Sequence, residues 1–129
     1  MRKEIKLNEQ DDIAHAWIRL YHLPEESEER KRDFWAFVCL SELCRKDPEA
    51  AWRVIEDILQ RDTSDAILSN LGAGPLEDLL VAHGGQFIDR IEQRAEKDTT
   101  FRKLIGVVWK NAMSEDVWKR LKAIAAPSW

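Results

Sequence analysis

Apolar residues return along this chain every three to four positions, the period of a helix with one buried side. Ile13, Ala16, Trp17 and Leu20 make one such stripe and predict a helix over about 8–22. Residues 27–46 carry Phe34, Trp35, Phe37, Val38, Cys39, Leu40, Leu43 and Cys44 around most of the circumference, which predicts a central helix covered on several sides. Asp47-Pro48-Glu49 is a helix start: a capping side chain, Pro at the first helical position, then an acid facing the dipole. Ala51, Trp52, Ile55, Ile58 and Leu59 then share a face. Thr63-Ser64-Asp65 opens a short helix bearing Ile67, Leu68 and Leu71. Gly74 reads as the cap and Pro75 as the first residue of the next helix, with Leu76, Leu79 and Leu80 in phase. Gly84-Gly85 predicts another break, before a stripe of Phe87, Ile88, Ile91 and Ala95. Asp98-Thr99 begins a helix with Phe101, Leu104, Ile105, Val108 and Trp109, and Ser114-Glu115-Asp116 caps a last one with Val117, Trp118, Leu121 and Ile124.

These elements predict an all-α fold of about eight short helices, stacked as antiparallel hairpins in a compact bundle or a short HEAT-like solenoid. The recurrence of Ala51-Trp52…Ile55…Ile58 as Val117-Trp118…Leu121…Ile124 favours stacking. A length of 129 residues with no linker predicts one domain over 1–129. With 44% hydrophobic residues and six Trp, the chain can build a core without disulfides or a metal, which excludes a disordered chain. No apolar run approaches the ~18 residues of a membrane-spanning helix.

Charge narrows the partners. The net charge is −4, and residues 1–64 carry all of it, with 11 Lys/Arg against 15 Asp/Glu. Between Arg61 and Arg90 there is no Lys or Arg, while Asp62, Asp65, Glu77, Asp78 and Asp89 are acidic. Nucleic acid needs a clustered basic footprint, and Arg30-Lys31-Arg32 is offset by Glu25, Glu26, Glu28 and Glu29, so nucleic-acid binding is not expected. A basic protein partner suits the acidic stretch better. Cys39 and Cys44 lie five apart, about 140° around one helix, and read as core thiols in a reducing compartment. Met1-Arg2-Lys3-Glu4 has no apolar signal core, so a cytoplasmic protein is expected.

Catalytic and metal chemistry is thinly represented. His15 and His22 stand two turns apart, too far to share a metal directly, and no HExxH or Cys/His cluster is present, so neither a metal nor a cofactor is expected. Asp11-Asp12 could pair with His15 across one turn. Gly72-x-Gly74 lacks the further Gly, the Lys and the preceding strand of a phosphate loop. The reading that leaves most for chemistry gathers Glu77, Asp78 and His83 into one polar site; the plainer one makes this stretch a helix–helix corner.

Asn70-Leu71-Gly72-Ala73-Gly74-Pro75-Leu76-Glu77-Asp78-Leu79-Leu80, with His83-Gly84, Phe87-Ile88, Phe101 and Val108-Trp109, resembles an uncharacterised bacterial all-helical domain family with a Gly-Pro-Leu-Glu-x-Leu-Leu core. The resemblance spans about 13–124. It implies a small helical protein, assigns no activity, and gives emphasis but no role to Gly74, Pro75, Glu77, Asp78, His83 and Trp109; the expected structural motif is Gly72, Gly74, Pro75 and Trp109. The expected function is a non-catalytic protein-interaction module, in one version an immunity-type inhibitor of a bacterial toxin. Its expected binding residues are Asp62, Asp65, Glu77, Asp78, His83, Asp89 and Trp129, with aromatic side chains as anchors. The alternatives are a small enzyme using Glu77, Asp78 and His83 as acid–base groups, and a homo-oligomeric scaffold.

Overall fold

The stripe of Ile13, Ala16, Trp17 and Leu20 is buried along helix α1 (Leu7–His22), as the spacing requires. The computed structural model describes the backbone of residues 7–126 and side chains from residue 12, so Trp129 lies outside the described residues. The chain divides into two compact units, Met1–Ile67 and Leu68–Trp129. All regular structure among the described residues is helical.

In the first unit, α1 is followed by α2 (Glu28–Lys46) and α3 (Pro48–Arg61), and each of the three packs against the other two. Ser27 caps α2, its hydroxyl accepting from the Arg30 N–H at 3.1 Å. Asp47 caps α3 through the Ala50 N–H, with Pro48 at the first position, as the sequence predicts. Trp52, Val54, Ile55, Ile58 and Leu59 turn inward from α3. A clamp joins α1 to α2: Arg19 grips the buried Asp33 with Nε on Oδ2 at 3.0 Å and Nη2 on Oδ1 at 2.7 Å. Arg19 thereby holds the Asp33 carboxyl below its ordinary pKa, against the opposing effect of desolvation.

Helix α4 (Asp65–Leu71) leads into a π-helical turn, Gly72–Leu76, and then α5 (Glu77–Lys97). This corrects the expected cap at Gly74 and helix start at Pro75: no side chain caps here, and the wider turn carries the chain through Pro75 without a break. A proline has no N–H to give to a helical ladder, and a π turn can absorb that missing donor. The break expected at Gly84-Gly85 is present one residue earlier, at His83. The backbone there (φ −139°, ψ 28°) is non-helical, so α5 is two helical stretches that meet at a kink.

Within the second unit α5 packs against the π turn, α6 (Thr99–Ile105) and α7 (Glu115–Ile124). Asp98 caps α6 through the N–H groups of Thr100 and Phe101, and Ser114 caps α7 through that of Val117. Close approach explains two glycines. A Cβ on Gly72 would lie 2.4 Å from Val107 Cγ2 and 2.7 Å from the Leu104 carbonyl oxygen; one on Gly84 would meet Val117 Cγ1 at 3.0 Å. Gly74 and Gly85 face open space.

Candidate functional site

The acidic residues picked out in the sequence are mostly occupied with holding the fold. Asp62 follows α3 and accepts from the Ser64 N–H at 2.9 Å, with His22 Nε2 2.8 Å from its other oxygen. Burial pushes the Asp62 carboxyl up, but the hydrogen bonds from Ser64 and His22 outweigh it, and the net pKa is lowered. Asp65 is exposed in the first turn of α4. Both belong to the first unit, whereas Glu77, Asp78 and Asp89 belong to α5 in the second.

Glu77 is a tether. Its Oε1 accepts from the Trp109 N–H and its Oε2 from Asn111 Nδ2, each at 3.1 Å. These bonds fix the segment between α6 and α7, where Asn111 adopts a positive φ of 46°, a conformation Asn tolerates better than most residues. Trp109 is thus a fixed point by its backbone, while its side chain is 73% exposed. Asp78 is half-buried beside Glu77. His83, half-buried at the kink, lies six residues beyond Glu77, about 9 Å of helix rise away. Asp89 lies on the far side of the His83 kink from Glu77. It pairs with Arg120 of α7, whose Nε also donates to Glu92 at 3.0 Å. Glu92 and Asp89 raise the Arg120 pKa, and Arg120 lowers that of Glu92.

No group of three or more His, Cys, Asp or Glu among the described residues could hold a metal ion. A cleft of about 260 Å³ beside Ile105, Val108 and Leu121 has Lys122 as its titratable side chain. No helix among the described residues is long and apolar enough to cross a membrane. Cys39 and Cys44 are thiols that no disulfide joins.

The feature most suited to binding is on α2, and it overturns the expectation of a helix covered on several sides. The buried side of α2 is a narrow stripe of Asp33, Ala36, Leu40, Leu43 and Cys44. Three aromatic residues and a valine point outward: Phe34 is 51% exposed, Trp35 47%, Phe37 38% and Val38 45%. Phe34 and Phe37 stack with ring centroids 5.2 Å apart. Together the four offer on the order of 300 Å² of apolar surface, at the scale where a patch marks an interaction site. The signal was present in the sequence as a second apolar stripe on one helix. Periodicity does not say which of two stripes meets the core; here the stripe through Ala36, Leu40, Leu43 and Cys44 does, with α2 packed against α1 and α3.

No curated protein and no solved structure matches the chain. One family model matches residues 23–128, from just before α2 through α7 and including the Gly74-Pro75-Leu76-Glu77 stretch. The chain therefore belongs to that family, described as a family of unknown function (DUF6869).

Proposed function

We propose that the chain is a non-catalytic protein-interaction module that binds through the aromatic face of α2. The observation that carries this reading is the outward placement of Phe34, Trp35, Phe37 and Val38. Burying a large apolar side chain is worth about 1.5–3 kcal/mol, and α2 leaves much of that unrealised in the isolated chain. Aromatic residues on a rigid helix are also well suited as anchors, since few torsions are frozen on contact.

The acidic stretch supports the reading less directly. A basic partner, such as the toxin of an immunity pair, would compete with donors that already hold Asp62, Glu77 and Asp89. An acid–base enzyme is disfavoured for a related reason: both Glu77 oxygens are engaged in holding the 106–114 segment. This reading takes the setting to be cytoplasmic, a compartment that keeps thiols such as Cys39 and Cys44 reduced.

The test is a photo-crosslinking amino acid placed at Phe37, on the face, and in a second protein at Gln93, exposed on α5. In the source cells, position 37 should give a protein adduct that position 93 does not, and Trp35→Glu should abolish it. Equal adducts from both positions, or none from 37, would refute the reading.

A further inference from the structure

The charges that flank the aromatic face of α2 are arranged in an order that complements itself. Along its outer side the helix reads Glu28, Lys31, then Phe34, Trp35 and Val38, then Glu42 and Arg45. All four charged residues are exposed. From Glu28 to Arg45 the signs run minus, plus, apolar, minus, plus, so the pattern inverts about its centre; Lys46, one residue beyond, then lies opposite the uncharged Ser27. Turning a second helix end for end places each charge opposite its opposite.

We propose that the α2 face pairs with the same face of a second copy, antiparallel, about a two-fold axis level with the midpoint between Trp35 and Val38. This rests on the reading of that face as a protein-binding surface and names its partner. In this register Trp35 of one copy meets Val38 of the other, Lys31 meets Glu42, and Glu28 meets Arg45. Helical rise gives the charged pairs spans of about 16 and about 25 Å, so they bracket the aromatic centre. Two-fold symmetry makes every contact twice, which is how a small patch acquires specificity. A parallel pairing would set Lys31 against Lys31 and Glu42 against Glu42, and like charges in apposition exclude that arrangement.

The intrahelical pair of Lys31 with Glu28, 3.4 Å apart, is compatible with this geometry. Both side chains are more than half exposed, so each can also turn toward a neighbour. The patch is small by the standard of stable dimers, so association should be reversible and dependent on concentration.

The experiment is sedimentation velocity on the full chain from about 1 to about 200 μM, with circular dichroism confirming that each variant is folded. The wild type should pass from the monomer mass of 15.1 kDa toward twice that value. Trp35→Glu should weaken association at least about tenfold. Lys31→Glu and Glu42→Lys should each weaken it about fivefold, and the two together should restore it to within about twofold of wild type. The double variant is decisive because Lys31→Glu loses its contact with Glu28 whether or not position 42 is changed, so recovery can come only from the neighbouring copy. A chain that stays monomeric throughout, a dimer indifferent to Trp35→Glu, or a double reversal no stronger than the singles would overturn the pairing. A monomeric wild type that still gives a position-37 adduct with another protein would leave the binding face standing and remove only the second copy.

Discussion

Gly72 and Gly85 are one residue type under opposite physical constraints. At Gly72 a methyl group would run into the Leu104 carbonyl and Val107, and backbone does not yield cheaply. Gly72→Ala should therefore cost about 1–3 kcal/mol in urea unfolding, the range for overpacking. Gly85 faces open space inside α5, so Gly85→Ala should stabilise by up to about 1 kcal/mol through helix propensity. The sequence does not tell the two apart, because glycine alone does not disclose whether it serves a turn or a close approach. Glu77 shows a similar limit. Its position after Gly74-Pro75 was legible; its partners, 32 and 34 residues further on, were not. Glu77→Ala should loosen the 106–114 segment, seen as faster amide exchange at Trp109, and cost about 1 kcal/mol.

At the scale of elements, local signals carried far. The caps Asp47, Asp98 and Ser114 were readable because each acts within three residues of itself. The orientation of α2 was not, because it depends on what α1 and α3 present to it. If its aromatic face exists for binding, stability should be nearly blind to it. Trp35→Gln should cost under about 1 kcal/mol, whereas Trp17→Ala in the core should cost about 3–5. The α1–α2 clamp makes a prediction in pH. Arg19 lowers the Asp33 pKa in the folded chain below the ordinary carboxylate value of about 3.9. The unfolded chain then binds the proton more readily, so the clamp stabilises fully above that value and loses its contribution as pH falls through the lower, folded one. Urea midpoints for Asp33→Asn should lie below wild type at pH 7 and converge with it in strong acid. A constant gap down to the lowest pH would show that the lost contribution is not the ionised carboxylate.

Over the whole chain, the helical class followed from apolar spacing alone, yet that spacing could not say how the helices group. A stripe says that a helix has an inner side, without saying which other helices share it. The structure gives Met1–Ile67 a core around Trp17, Leu40 and Ile55, and Leu68–Trp129 one around Leu79, Phe87, Phe101 and Leu104. Regions whose packing is mostly internal can open without the rest of the chain unfolding. Hydrogen exchange under native conditions reads such openings amide by amide. Asp33→Ala, which unseats Arg19 within the first unit, should speed exchange at the core amides of α1, α2 and α3 while leaving α5 and α7 near their wild-type rates. Gly72→Ala should do the reverse, because the atoms it displaces, at Leu104 and Val107, belong to the second unit. If either variant instead speeds exchange evenly from α1 to α7, the chain opens only as one cooperative body, and the single domain expected from its length is the correct description of its energetics.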